Sequence, residues 1–434
     1  MENITVKFGG SSLADAGQMR KVAAIIEANP MRRYVVVSAP GRRFKEDTKV
    51  TDLLYSAHSA AGTPGFAGIM AKITERFETI ASDLGIDADL GLQKIAADIE
   101  GGAGPDYCAS RGEYLNARLM AKFLDRPFID AADCVFFRED GSFDAQRTDE
   151  ALGKALHALP GAVIPGFYGS NPDGSIRTFS RGGSDITGAL VARATGAECY
   201  ENWTDVSGIL ATDPRIVPDA RPIRRITYRE LRELAYMGAS VLHEDAIFPV
   251  RSAGIPIQIR NTNAPEDPGT IILRDALGVE APPVTGIAGK KDFSIIHIEK
   301  DQMNEASGFV SKVIAPFSAR GVSIEHLPTG IDSMCVVVPT AQLRDCRTEL
   351  LCEIRDAVSP DVILVENDLA LLAVVGRGMV RRKGVAAKLF GALAAAGVNV
   401  RMIDQGSGEL NIIVGVDSAD YESAVRALYG AFFR

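Results

Sequence analysis

The stretch 178-TFSRGGSDITGALVARATGAECYENWTDVSGILATDPR-215 decides how this chain is read. Gly182 and Gly183 give the backbone access to φ > 0 and let it approach a ligand closely. Ser184 and Asp185 stand where N-cap residues belong, ahead of an apolar helical run from Ile186 to Thr195. A helix starting there points free N–H groups at an anion, and Arg181 adds a rigid fork for carboxylate or phosphate. Gly196 closes the helix, and a short strand carries the chain into Thr204-Asp205-Val206 and then Asp213-Pro214-Arg215. A glycine turn, an Arg, an Asp and a second polar turn after a βα step form a phosphate or carboxylate site.

The chain before this stretch has the same grammar. Asn3 to Phe8 reads as a strand, Gly9-Gly10-Ser11-Ser12 breaks it, and a helix runs from Asp15 to Ala28. Lys7 sits at that strand's end, which is phosphate geometry although no GxxxxGK[ST] occurs. Tyr34 to Ser38 is a β-branched run suited to a strand buried on both faces. Arg42 to Lys49 is charged and reads as a mobile lid, with Thr51-Asp52 capping the helix after it. Ser110-Arg111-Gly112-Glu113 precedes a helical run from Tyr114 to Leu124, which puts the Glu113 carboxylate in a first turn. Phe128 to Asp130 and Ala162 to Phe167 read as further strands. Strands alternating with helices predict an α/β domain with a mostly parallel sheet and its site at the strand C-termini.

Beyond Arg215, helices are expected from Ile226 to Met237 and from Val241 to Arg251, then a strand from Pro256 to Arg260. Asn261 to Gly269 reads as this domain's edge, and Asp275 to Pro283 as a linker. An internal repeat follows. Gly308, Lys312, Gly321 and Gly330 recur as Gly384, Lys388, Gly397 and Gly406, a constant spacing of 76 residues (308 to 384, 330 to 406). Each copy reads strand, helix, glycine, strand (Val322 to Leu327; Val398 to Ile403), strand, helix. That is a ferredoxin-like βαββαβ sandwich occurring twice.

The length of 434 residues suits roughly three domains of about 150 residues each. A net charge of −9 argues against a nucleic-acid surface. The six cysteines contain no CxxC pair and the five histidines no ligand spacing, so reduced thiols and no protein metal site are expected. With no signal peptide and no long apolar run, no membrane association and a cytoplasmic location are expected.

These residues resemble the aspartate kinases over essentially the whole chain. The matching motifs are VKFGGSS at Val6, VVVSAPG at Val35, RGE at Arg111, RGGSD at Arg181, WTDVSGILATDPR at Trp203 and GASVLHEDAI at Gly238. The repeats resemble tandem ACT domains, which sense amino acids. The resemblance implies an amino-acid-kinase αβα sandwich over 1–275 and ACT domains over 284–360 and 368–434. It implies transfer of the γ-phosphate of ATP to the β-carboxylate of L-aspartate, with Mg2+ held through phosphates and water, a step in lysine, threonine and methionine biosynthesis. Positioning and charge neutralisation are then the protein's work.

By the same resemblance, Lys7 and Asp185 are catalytic. Lys7 steadies the phosphoryl group; Gly9, Gly10 and Ser11 supply backbone donors. Thr51, Glu113, Phe167, Arg181, Ser184 and Asp185 hold aspartate, Arg181 clamping its α-carboxylate and Glu113 with Asp185 taking its amine. Thr204, Asp205, Asp213, Pro214 and Arg215 hold the nucleotide. Met303, Phe309, Val310, Ser323 and Glu325 match lysine-binding positions, and a homodimer through the ACT domains is implied. The chain departs from the pattern at Ser207, Leu210, Ser240, Arg377 and Gly408, the Leu210 and Ser240 positions bearing on nucleotide binding. Lysine plus threonine as effectors, an amino-acid kinase for another carboxylate, and a non-catalytic sensor are the alternatives.

Overall fold

A computed structural model describes residues 2–87, 89–180, 182–239, 242, 244–274 and 281–434. Two compact units emerge: Met1–Ile209, Pro222–Tyr228 and Val241–Ala276 form one, and Leu210–Arg221, Arg229–Ser240 and Leu277–Arg434 form the other. Among the described residues no helix is long and apolar enough to cross a membrane.

The first unit's strands are β1 (Ile4–Phe8), β2 (Arg32–Val37), β3 (Ala162–Pro165), β4 (Tyr168–Ser170), β5 (Ile176–Thr178), β6 (Cys199–Thr204), β7 (Arg225–Thr227), β8 (Ile257–Asn261) and β9 (Thr270–Leu273). Its helices are α1 (Ala16–Glu27), α2 (Val50–Ala60), α3 (Phe66–Leu84), α4 (Leu92–Glu100), α5 (Pro105–Phe123), α6 (Ala145–His157), α7 (Gly183–Ala194) and, past α8 (Tyr228–Tyr236), α9 (Glu244–Ala253). A seven-stranded sheet runs β3-β2-β1-β6-β8-β9-β7, parallel except where β9 meets β8. Period-two alternation along β2 divides the core between its faces. Val35 and Val37 pack with Met19, Ile26, Leu54, Phe77 and Leu115 on one side. Tyr34 and Val36 pack with Leu152, Ile164, Leu190 and Val191 on the other. Helices on both faces of a mostly parallel sheet make three layers.

The structure departs from the sequence pattern at several points. α5 begins at Pro105, so Ser110 to Glu113 lie inside a 19-residue helix rather than ahead of one. Gly112 is where the helix backbone passes the loop after β2: a Cβ there would fall 2.7 Å from the Ala39 Cβ. α2 begins at Val50 with Lys49 as its cap residue, so Thr51 and Asp52 belong to its first turn. Phe128 forms a single bridge to Val163 instead of a strand. The polar segment after β8 leads into another strand, β9. The segment 42–49 is tied down: Asp47 takes hydrogen bonds from Arg43 and from the buried Arg76 of α3. Burial alone would raise the Asp47 pKa, but these two guanidinium groups hold it far below the usual carboxylate range.

In the second unit, β10 (Gly286–Glu299), β11 (Ser333–Pro339), β12 (Val362–Val375), β13 (Val400–Asp404) and β14 (Asn411–Asp417) form an antiparallel sheet ordered β11-β10-β12-β14-β13. Helices α10 (Phe309–Ala319), α11 (Thr340–Leu343), α12 (Arg347–Val358), α13 (Val385–Ala395) and α14 (Tyr421–Phe433) accompany it. The two repeats share their long strands. Residues 293–299 of β10 pair with β11 and with 362–369 of β12, whereas residues 286–290 pair with 371–375 of β12. The closing strand of the second copy therefore comes from chain that precedes the first copy.

The repeated glycines are explained by their backbones. Gly321 and Gly397 follow α10 and α13 at φ +65° and +72°, and the next residue in each copy bonds back into the helix. That left-handed stop favours glycine. The strand expected at Val322 to Leu327 is an irregular edge instead. Glu325 N–H donates to the Val337 carbonyl while Val337 N–H donates to the His326 carbonyl, so two residues oppose one. This is a bulge at a sheet edge, and Pro328 removes a further donor.

Candidate active site

Lys7 lies on β1, one residue from its end, and Asp185 in the first turn of α7. Gly182, at φ +59°, caps this helix; Ser184 and Asp185 are its second and third residues rather than its caps. The early start follows from Gly183, which packs under the Phe167 ring where a Cβ would fall 2.6 Å from it. The turn so formed delivers the Asp185 carboxylate to Lys7, Nζ to Oδ1 2.6 Å. Lys7 is 8% exposed, so this is a largely dehydrated ion pair. Asn202, not singled out from the sequence, joins both groups. Its Nδ2 donates to Asp185 Oδ1 at 2.8 Å, and its Oδ1 lies 3.5 Å from Lys7 Nζ. The signal that could have found it is register: Asn202 sits beside Lys7 in the parallel pairing of β1 and β6.

After β1 the chain enters a short 3-10 turn, Gly10–Leu13. The Gly9 N–H is engaged by the Trp203 carbonyl at 3.0 Å, so this donor, expected for phosphate, extends the pairing of β1 with β6. Gly10 and Ser11 open the turn, where N–H groups have no partner within the helix. The Gly10 carbonyl accepts from Gly41 N–H at 2.8 Å.

Glu113 is 6% exposed, and its Oε2 has no hydrogen-bond partner in the structure. Burial pushes its pKa up to about 8, against a smaller opposing pull from backbone hydrogen bonds and the Arg111 charge. Such a group is poised to ionise when a cation arrives. Thr51 lies on α2, which packs on α5 through Val50 and Leu54 around Gly112. Phe167 holds an unusual φ of +81°; its N–H donates to Thr187 Oγ1 and its carbonyl accepts from Phe179 N–H. Strain of this kind is retained where surrounding contacts over-determine it. Ser184 is half-buried beneath Gly166. Arg181, Ser240 and the start of the GASVLHEDAI helix fall outside the described residues.

Thr204 ends β6, its carbonyl accepting from Thr262 N–H and its hydroxyl donating to Asp205 at 3.2 Å. Ser207, a departure from the family pattern, accepts from Asn261 Nδ2 at 3.0 Å. In the second unit Arg215 is turned onto its own turn, donating to Asp213 at 2.6 Å; these hydrogen bonds lower the Asp213 pKa. Also in the second unit, Met303 and Phe309 are built into the apolar core with Val313, Phe317 and Val336. Val310 is exposed. Ser323 N–H donates to Gln342 Oε1, and Glu325 Oε2 accepts from Tyr236 Oη at 2.6 Å.

The profile of the amino acid kinase family matches residues 4–261, and an ACT domain profile matches 372–432. Aspartokinase 3 of Bacillus subtilis is 38% identical over 99% of this chain and 98% of its own length. The chain belongs to the aspartate kinases of the amino acid kinase family. As an aspartate kinase it transfers a phosphoryl group to a carboxyl group of aspartate. The crystal structure of Clostridium acetobutylicum aspartate kinase is similar along the full length of both chains, with 47% identity and a TM-score of 0.90. Escherichia coli aspartokinase III, solved with aspartate and ADP and again with lysine and aspartate, also aligns over both chains, at 26% identity and a TM-score of 0.73. In this aspartate kinase the Lys7–Asp185 pair occupies the C-terminal end of the central parallel strands, where α/β sheets bind ligands.

Proposed function

We propose that this site phosphorylates the β-carboxylate of L-aspartate from ATP, giving 4-phospho-L-aspartate and ADP. The observation that carries the reading is the dehydrated Lys7–Asp185 pair, 2.6 Å apart, at the ends of β1 and α7. In this reading Lys7 turns from Asp185 to the transferring phosphoryl group, where an ammonium offsets developing charge. Asp185 and Glu113 receive the substrate ammonium, Arg181 clamps the α-carboxylate, and Thr51, Phe167 and Ser184 shape the pocket. Gly10 and Ser11 donate to phosphate, and Thr204 and Asp205 contact the nucleotide. Among the described residues no three His, Cys, Asp or Glu side chains gather as a metal site. Mg2+ rides on the phosphates and water in this reading, neutralising phosphate charge.

The E. coli relative solved with lysine motivates an effector role for L-lysine here. Glu325 is the acceptor proposed for its amine, with Met303, Phe309, Val310 and Ser323 around it. A homodimer through the ACT domains, a cytoplasmic location, a kinase domain over 1–275 and ACT domains over 284–360 and 368–434 complete the proposal. The test is ADP release from ATP and Mg2+ with L-aspartate, with and without millimolar L-lysine. Turnover suppressed by lysine supports both parts. Turnover indifferent to lysine removes the effector assignment, and absence of aspartate-dependent turnover removes the whole reading.

A further inference from the structure

The Lys7–Asp185 pair has a third member whose chemistry the ion pair alone does not require. β6 places Tyr200 and Asn202 on one face, since side chains two residues apart point the same way. Both reach α7 at the same residue. Tyr200 Oη donates to the Asp185 backbone carbonyl at 3.2 Å, and Asn202 Nδ2 donates to its carboxylate at 2.8 Å. Gly188 admits the tyrosine: a Cβ there would lie 2.5 Å from Oη. Asn202 is 4% exposed, so its amide is a desolvated polar group committed to these partners. Two donors, Lys7 Nζ and Asn202 Nδ2, converge on the single oxygen Asp185 Oδ1.

We infer that Asn202 is a positioning residue for phosphoryl transfer, holding Asp185 in place while Lys7 leaves it for the phosphoryl group. This rests on the roles proposed above for Lys7 and Asp185. When the Lys7 ammonium swings away, the partly buried carboxylate keeps only the substrate ammonium, shared with Glu113, as counter-ion, and a buried charge short of partners is costly. The amide remains on Oδ1, and its own carbonyl lies close enough to guide Lys7 back. An aliphatic residue at 202 would fill the same space on the sheet but offer neither donor nor acceptor.

The experiment compares Asn202→Leu and Asn202→Asp in the full-length protein, measuring kcat, KM for aspartate and Tm. Leu removes the amide; kcat should fall about 10- to 100-fold while KM for aspartate stays within about threefold. Asp keeps the shape but repels Asp185 when ionised and donates to it again when protonated. Its kcat relative to wild type should therefore rise about fivefold or more from about pH 8 to about pH 6. A filler of the core would lower Tm in both variants without this pH-dependent recovery. If Asn202→Leu does not fold, the pH ratio of Asn202→Asp decides. A wild-type-like kcat in Asn202→Leu, or a flat pH ratio in Asn202→Asp, overturns the inference. Lys7→Ala and Asp185→Ala run alongside separate the cases: if they turn over normally, the underlying reading has failed instead.

Discussion

The groups around Lys7 and those around Glu325 are built in opposite ways. Lys7, Asp185 and Asn202 come from three separate elements, are mostly buried, and hold one another in place, Lys7 meeting both partners across well over a hundred residues of chain. Glu325 lies on a bulged sheet edge, with Ser323 exposed beside it, and its carboxylate is held by the hydroxyl of an exposed tyrosine. The first arrangement is preorganised: its charges stand at fixed positions before substrate arrives, which is what electrostatic catalysis needs. The second can exchange partners at low cost, because each group it releases returns to water. The groups proposed for chemistry and for sensing differ in the way those two tasks require.

The comparison can be broken most directly at the rigid end. Lys7→Ala and Asp185→Ala should each lower kcat by about 10³-fold or more, and each should lower Tm while the fold persists, because the other charge of the pair is left unpaired. Retained turnover would remove the contrast.

Glu113→Gln should act next most strongly, raising KM for aspartate by about tenfold or more. If Glu113 takes the substrate amine as proposed, its raised pKa of about 8 makes aspartate binding near neutrality release a proton. KM for aspartate should therefore fall as pH rises through about 8, and Glu113→Gln should abolish that dependence. The stability consequence has a definite sign. Below about 4.5 the group is neutral in both folded and unfolded chains. Between about 4.5 and 8 the unfolded chain releases a proton that the folded chain keeps, so folding stability is lost as pH rises through this window. Calorimetry should find Glu113→Gln more stable than wild type at pH 9 and nearly equal at pH 4.

At the adaptable end, Glu325→Ala should raise the half-inhibiting lysine concentration about tenfold with kcat within about twofold. Tyr236→Phe should give the smallest effect and the opposite sign. Removing a hydroxyl that competes for Glu325 should lower that concentration by about two- to fivefold. Equal and large losses of kcat in both variants would mean that the edge segment is as rigid as the catalytic site.

Much of this is legible in the sequence. The strand ends at Lys7 and Thr204, the glycine stops of the repeat, and the alternation of strands and helices are local patterns of period and punctuation. Glu113 was legible as a residue but not as an environment. The sequence places Ser110 to Glu113 ahead of a helix because it does not reveal that Gly112 lets α5 run on past Ala39. Side-chain preference points to Ser184 and Asp185 as caps, whereas close packing of Gly183 against Phe167 starts the helix earlier. Asn202 went unnoticed because nothing local distinguishes a polar residue in a strand from a surface one.

By itself the sequence determined the order of elements, the motifs of an aspartate kinase and the existence of two similar C-terminal copies. These depend on short-range periodicity, turn chemistry and residue identity. Tertiary structure alone decided which strands the copies exchange, since strand pairing is set by register between distant segments. It also decided that Asn202 meets Lys7 and Asp185, and that Glu113 is dehydrated enough to titrate near 8. Burial and convergence of charges arise from long-range packing, which no window of residues contains.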